Sequence, residues 1–238
     1  MLWSVRILAI GLGVASAGCS YRVYTPPARS LPLESPLPLP DGHTSVTAEA
    51  GVHSLLFGPE LVGGGLRVAR GIPQGEVSVE GAALVVQGDS AAGTDPLLAI
   101  GRAGFHTGDR IFGFGAGLGG GWSAAGPFVS PDFELMAGYE NCYLIPFGAF
   151  RTSVSLPIAP RAVDISKKED GVGAHVLTPR TTAAFSPGIG LKIPVFHRCG
   201  AVPQYRAAIS LGLAWTALVD ADHSDTFFGV GSGLTINF

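Results

Sequence analysis

The sequence predicts an all-β fold, an antiparallel up-and-down β-barrel, on three observations. Apolar residues recur at every second position, aromatic residues repeat at one fixed interval, and glycine is abundant where charge is scarce. The 238 residues include 35 glycines, and charged residues make up 14%, whereas a typical globular chain has about 7% glycine and about 25% charge. An apolar share of 47% and a mean hydropathy of +0.37 exclude a disordered chain, which is polar and highly charged. Long helical bundles are excluded as well, because they draw on Ala, Glu, Lys, Leu and Arg rather than glycine.

The alternation is clearest at the end of the chain. Phe228, Val230, Ser232, Leu234, Ile236 and Phe238 share one face, and Phe227, Gly229, Gly231, Gly233, Thr235 and Asn237 share the other, the period of a strand with one apolar side. Tyr205, Ala207, Ile209, Leu211, Leu213 and Trp215 alternate with Arg206, Ala208, Ser210, Gly212 and Ala214 in the same way. So do Phe112, Phe114, Ala116, Leu118 and Trp122 with Gly113, Gly115, Gly117, Gly119 and Gly121, and Phe185, Pro187, Ile189 and Leu191 with Ser186, Gly188, Gly190 and Lys192. On the apolar faces Phe112 and Trp122, Tyr205 and Trp215, and Phe228 and Phe238 are each ten positions apart. At ~3.3 Å per residue and a ~45° tilt this covers about 23 Å, close to the ~25 Å apolar band of a transmembrane barrel. These six residues are the expected aromatic girdle. Strands of a soluble sandwich are usually only ~5 to 6 residues long.

The chain ends in Leu234-Thr235-Ile236-Asn237-Phe238, which resembles the alternating, Phe-terminated last strand of bacterial outer-membrane β-barrels. The resemblance covers residues 45–238 as architecture and the last strand as a motif. It implies an integral barrel in the outer membrane of a Gram-negative bacterium, surrounded by outer-membrane lipid and recognised by the barrel-assembly machinery through the strand ending at Phe238. It implies no ligand and no reaction.

Turn signals divide residues 45–238 into about ten strands, at 45–56, 61–70, 76–87, 97–106, 110–122, 129–139, 142–155, 181–194, 204–217 and 226–238. The second carries Gly63, Gly64 and Gly65, and a count of eight is the alternative if it does not form. An even count puts both termini of the barrel's chain on the periplasmic side, with short turns there and longer loops outside. The outward loops are then 88–96, 123–128, 156–180 and 218–225, and the periplasmic turn at 196–203 is long for this rule.

The start of the chain reads as a sorting signal. Met1 to Arg6 carries one positive charge, Ile7 to Val14 is apolar, and small residues precede Cys19, the layout of a secretory signal peptide over residues 1–18. Ser16-Ala17-Gly18-Cys19 resembles the lipobox of bacterial lipoproteins, without the usual Leu, which would make Cys19 a lipid anchor; simple cleavage after Ala17 is the alternative. Residues 19–44 contain Pro26, Pro27, Pro32, Pro36, Pro38 and Pro40 and read as a Pro-rich periplasmic tether. Some twenty residues in polyproline conformation would reach about 60 Å. Without residues 1–18 the chain keeps 14 Lys plus Arg against 18 Asp plus Glu, a net charge of −4. No basic stripe is available to neutralise phosphates, which argues against nucleic acid as a partner.

Alternation puts Glu49, Arg67, Glu80, Arg102, Asp132, Glu134, Lys192 and Arg206 inside the barrel. Buried charges cost several kcal/mol each unless paired, so a lumen plugged by charge pairs is expected, with a narrow ion path as the alternative. In the seventh strand Arg151, Ser153 and Ser155 suit the interior but would bring Tyr143, Ile145 and Phe147 with them, and a bulge would resolve the conflict. Cys142 and Cys199 fall at periplasmic ends of neighbouring strands in an oxidising compartment, a candidate disulfide.

Signatures of catalysis are weak. Gly115, Gly117 and Gly120 match a dinucleotide fingerprint only formally, since they belong to a strand with no helix after it, and no cofactor is expected. The histidines are scattered, with no zinc spacing. Asp220, Asp222, His223 and Asp225 share an outward loop but read as a solvated tip, so no metal is expected. His175 and His223 select no nucleophile, so the chain reads as a non-enzyme. The loop at 156–180, with Arg161, Asp164, Lys167, Lys168, Glu169, Asp170 and His175, is the best surface for an extracellular partner. The expected role is structural or surface interaction. The alternatives are a periplasmic lipoprotein whose soluble barrel binds an apolar ligand, and an outer-membrane hydrolase.

Overall fold

Every alternating segment is a strand in the computed structural model, which describes residues 24–29, 31–55, 60–87, 97–123, 125–164, 176–199 and 204–238. The signal sequence, Cys19 and the middle of the long loop, with Lys167, Lys168, Glu169, Asp170 and His175, lie outside the described residues. The elements are β1 Thr44–Leu55, β2 Glu60–Ile72, β3 Gly75–Gln87, β4 Leu97–Gly108, β5 Phe112–Ser123, β6 Gly126–Gly138 and β7 Ile145–Pro157. The short strands β8 Val163–Asp164 and β9 Val176–Leu177 follow, then β10 Thr182–Arg198, β11 Gln204–Val219 and β12 Ser224–Asn237.

Ten of these strands form a closed antiparallel barrel in the order β1-β12-β11-β10-β7-β6-β5-β4-β3-β2. The count is ten and not eight, because β2 pairs along its length with both β1 and β3 despite its three consecutive glycines. Closure removes the unpaired edges that an open sheet would expose. β8 and β9 pair only with each other, as a small hairpin within the long loop. No described residue is helical.

The two ends of the barrel differ. Thr44 and Phe238 meet at one end, each donating its N–H to the other's carbonyl, at 3.2 and 2.8 Å, and the joins at 73–74, 109–111, 139–144 and 199–203 lie there too. The other end carries the joins at 56–59, 88–96, 124–125, 158–181 and 220–223. They are called here the turn end and the loop end. At the turn end the Asp109 carboxylate accepts hydrogen bonds from the N–H groups of Phe112 at 2.8 Å and Ile111 at 2.7 Å. Those bonds hold it below the usual carboxylate range.

Proline interrupts the ladder in two places without shifting it. The β6–β7 pairs stop at Val129↔Leu156 and resume at Asp132↔Ser153, opposite Pro131. The β10–β11 pairs stop at Phe185↔Ala217 and resume at Gly188↔Ala214, opposite Pro187. Proline has no N–H to give a ladder. Inside the barrel each gap is spanned by hydroxyls, Ser155 with Ser130 and Ser186 with Thr216, both at 2.9 Å.

The expected bulge in the seventh strand is absent. β7 keeps one register against both β6 and β10, so Ile145 and Phe147 share the inward face with Arg151, Ser153 and Ser155, and all five are buried. A Cβ on Gly190 would come within 2.2 Å of the Phe147 ring, so a missing side chain on β10 makes room for the aromatic one. Tyr143 lies before the strand and is exposed.

Cys142 and Cys199 form a disulfide with their Cα atoms 5.4 Å apart, joining the β6–β7 and β10–β11 turns across 57 positions of sequence. Free-thiol mapping of the denatured, unreduced protein should find neither cysteine reactive. Cys142→Ser should lower stability by about 2 to 4 kcal/mol in a denaturant titration, and an unchanged midpoint would contradict the cross-link.

Candidate functional site in the barrel lumen

Of the tether expected at 19–44, the described residues 24–29 and 31–40 lie inside the barrel. Arg29 is only 8% exposed and Ser35 3%, values a tether in water could not have. The segment begins at the loop end, where Tyr24 makes a parallel bridge with Arg180. There the Thr25 N–H donates to Thr182 Oγ1 at 3.1 Å and its hydroxyl donates to the Arg180 carbonyl at 2.7 Å. Midway, the Ala28 N–H donates to Ser130 Oγ at 3.3 Å and the Ser155 hydroxyl to the Pro26 carbonyl at 2.8 Å. Toward the turn end Lys192 Nζ donates to Ser35 Oγ at 3.0 Å, and His106 Nε2 lies 2.8 Å from the Pro36 carbonyl. The Leu39 N–H donates to Glu76 Oε2 at 3.0 Å.

Proline suits this path for the reason that made it look like a tether. It holds the chain extended and brings no N–H, so a confined backbone has fewer donors to satisfy. The inward glycines give the chain its room. A Cβ on Gly119 would sit 2.3 Å from Ala28 Cβ, on Gly231 2.5 Å from Leu31 Cδ1, on Gly188 2.6 Å from Pro32 Cγ, and on Gly113 2.8 Å from the Pro36 carbonyl oxygen. These distances are below any real Cβ contact, so side chains there and the threaded segment exclude each other.

The charges form one connected network, and the segment supplies its middle. Arg29 binds Glu80 at 2.9 Å, Glu49 at 3.1 Å and Glu34. Arg67 binds Glu34 at 2.8 Å and also Glu76. Arg102 binds Glu80 at 2.7 Å and grips both oxygens of Asp132 at 2.7 Å each, the two-pronged geometry that favours Arg over Lys. Arg151 pairs with Glu134 and lies 3.9 Å from Asp132. All these residues outside the segment come from β1 to β7. The inward faces of β10, β11 and β12 hold mostly Ala, Gly, Ser and Thr, and Leu31 and Pro32 pack on that wall.

Of the residues read from the sequence, Glu49, Arg67, Glu80, Arg102, Asp132 and Glu134 are in the network. Lys192 is inside but apart from it, donating to Ser35 and, at 3.4 Å, to the Tyr205 hydroxyl. Arg206 is exposed at the turn end, because its position on β11 falls beyond the enclosed part of the lumen. Phe112, Trp122, Trp215, Phe228 and Phe238 are exposed on the outer surface. Tyr205 differs, since its hydroxyl turns over the barrel mouth to Lys192. Strand alternation could have added Glu76 and Arg151. Arg29 and Glu34 lay beyond its reach, and their signal was the apolar Leu31, Leu33, Leu37 and Leu39 around them, which a solvated linker has no use for.

The loop end offers little for metal chemistry. Asp220 Oδ1 accepts from the N–H groups of Asp222 and His223, both at 2.8 Å, Asp225 Oδ1 accepts from Thr226 at 2.7 Å, and Asp222 pairs with Arg180. Among the described residues no group of three His, Cys, Asp or Glu could hold a metal ion. A cavity of ≈ 410 Å³ remains in the loop half of the lumen, lined by Leu61, Leu84, Leu98 and Phe227 above Arg29 and Glu49.

No protein-family model matches this chain, and no curated protein matches it. Among solved structures it is similar to Neisserial surface protein A, at 10% identity over 82% of this chain and 96% of that one, with a TM-score of 0.35. It is also similar to the beta domain of the Bordetella autotransporter BrkA, at 10% identity over 83% of this chain and 100% of that one, with a TM-score of 0.44. Likenesses of this size carry no function, and the barrel assignment stands on its own closed ladder of strands.

Replacing Arg29 by Met leaves Glu34, Glu49 and Glu80 without their shared cation. Breaking a buried pair in this way should cost about 3 to 5 kcal/mol in urea unfolding in detergent, whereas Arg206→Met, on the surface, should stay within about 0.5 kcal/mol of the parent. Equal effects would show that Arg29 is not held in the lumen.

Proposed function

We propose that this protein is an integral β-barrel of the Gram-negative outer membrane, closed by its own Pro-rich segment, with a structural or surface-interaction role rather than a transport or catalytic one. The observation that carries the reading is the inversion of polarity across the wall. Large apolar side chains are exposed on every strand of the barrel, from Val52 on β1 and Leu66 on β2 to Leu213 on β11 and Val230 on β12. Among the described side chains the charges in the middle of the strands point inward, and the exposed Arg70, Arg206 and Asp225 lie near strand ends. A soluble ligand-binding barrel has the opposite arrangement, apolar inside and polar outside. A lipid solvent accounts for this one, since it rewards apolar surface and requires every backbone group to be paired within the wall.

The plug follows from the same geometry. The segment at 24–40 and the ion-pair network occupy the path a solute would take. The two longest joins, at 158–181 and 88–96, are both at the loop end, which supports placing that end outside, where such barrels carry their long loops. On that orientation the hairpin of β8 and β9 within the loop at 156–180 faces outward, as the surface offered to a partner. Phe238, at the end of the last strand, is where the assembly machinery would engage the chain.

Three measurements test this. The unheated protein extracted from outer membranes should run faster than the boiled protein on detergent gels, and Leu211→Arg, a charge at mid-height on the lipid side, should cost about 2 to 4 kcal/mol in lipid-vesicle refolding. In planar bilayers the full chain should be silent. A chain lacking residues 24–40 should conduct with cation preference, because Glu49, Glu76, Glu80, Asp132 and Glu134 would outnumber Arg67, Arg102, Arg151 and Lys192. A full chain that conducts as freely as the deletion would refute the plug.

A further inference from the structure

The threaded segment fills most of the room that the inward glycines leave, but not all of it. On β5, β10 and β12 a Cβ would strike the segment, at Ala28 for Gly119, at Pro32 for Gly188 and at Leu31 for Gly231. On β2 the pattern changes. A Cβ on Gly63 would first meet the Ala83 carbonyl and Leu84, and one on Gly65 the Gly81 carbonyl and Ala82, all of them on β3. Both glycines line the cavity of ≈ 410 Å³ in the loop half of the lumen, so the room they leave is not taken by the segment.

We propose that this cavity binds one small amphipathic molecule, an apolar body carrying a single ammonium group, with the ammonium seated on Glu49. Its volume of ≈ 410 Å³ falls in the roughly 300 to 1,000 Å³ range of small-molecule sites. Leu31, Leu61, Leu84, Leu98, Ile100 and Phe227 line it, with Arg29 and Glu49 beneath. Apolar walls of this kind offer water few partners, and they reward an apolar body by the area it withdraws from water. A few polar groups at one end of such a pocket fix the orientation of what enters.

The floor decides the charge of the head group. Arg29, Arg67 and Arg102 also line the cavity, but their side chains are only 5 to 7% exposed and each is already held by two or three carboxylates. Glu49 is the most exposed member of the network, at 21% of its side chain, and among the described residues its one ion pair is with Arg29. The network as a whole sets six acids against four arginines among the described residues. The charge within reach is therefore negative, and so is its background. An ammonium there gains a charge-assisted hydrogen bond from Glu49 and offsets part of the excess of acid, whereas a carboxylate would meet like charge. The segment that closes the barrel thus becomes one wall of the site, and an occupant resting on Arg29 and Glu49 opens no path past them.

The test uses the full chain folded in lipid nanodiscs and three probes, phenylbutylamine, phenylbutyrate and phenylbutanol, which put a positive, a negative and a neutral head on one apolar body. Binding is read by calorimetry against protein-free nanodiscs, and faster migration of the unheated sample on gels confirms that each variant is folded. Phenylbutylamine should saturate at one molecule per barrel, with phenylbutyrate at least about tenfold weaker. Glu49→Gln should weaken the amine by about tenfold and leave the alcohol unchanged. Leu84→Trp, which fills the cavity, should abolish binding of the amine, and Ala82→Leu, a smaller filling on the same wall, should weaken it. No saturation above protein-free nanodiscs, equal affinity for amine and butyrate, or binding that survives both filling variants would overturn the proposal. Each of these results is independent of which end of the barrel faces outward, so failure here leaves the outer-membrane reading intact.

Discussion

A barrel of ten strands encloses more space than its own side chains fill, and the rest of the structure depends on how that space is filled. Eight strands give an interior that inward side chains can just pack, and the diameter grows with each strand added. Here the inward faces of β5 and β12 are largely glycine, so the excess is greater still. The remedy is a second backbone inside the first. Residues 24–40 take up the room left by the glycines, and an extended, proline-rich chain is the conformer that fits a narrow channel with the fewest donors left unpaired.

The charges follow from this filling. Arg29 and Glu34 enter with the segment and link the pairs on the wall into one network, adding one charge of each sign, so the excess of acid on the wall is unchanged. Ion pairs taken out of water rarely give net stability, since desolvation offsets most of the attraction. Their value lies in uniqueness, because a segment whose Arg29 must meet Glu49 and Glu80 while its Glu34 meets Arg67 has one register in the lumen. The wall of small residues on β10 to β12 would tolerate sliding, and the charged wall on β1 to β7 does not.

Much of this was legible in the sequence. Period-two alternation and turn signals marked the strands of the barrel, with the glycine-bearing second strand deciding between ten and eight, because the two faces of a closed wall meet different surroundings and each residue must suit one of them. Alternation named most of the interior charges for the same reason. It misjudged Arg206, since alternation gives a face and not a height. It also left Ile145 and Phe147 in doubt, because Gly190, the partner that accommodates Phe147, lies on a strand that pairing and not proximity in sequence brings near. The segment at 24–40 was misplaced because polyproline conformation looks the same in water and in a lumen. The glycine rows carried the missing information, being a mould of the segment, but a mould can be recognised only once its cast is known.

The picture that results is a barrel with residues 24–29 and 31–40 in its lumen, apolar outside, and tied at its turn end by a disulfide. Its loop end holds the long loop with its hairpin and the residue where the inner chain begins. The central claim, that residues 24–40 belong to the fold, is tested most directly by amide hydrogen exchange on the folded protein in detergent. The account predicts that the Thr25, Ala28 and Leu39 amides, each bonded to the wall, exchange as slowly as strand amides, by opening of the barrel. Exchange at the rate of an unstructured peptide would make the segment a tether outside the barrel and contradict the account.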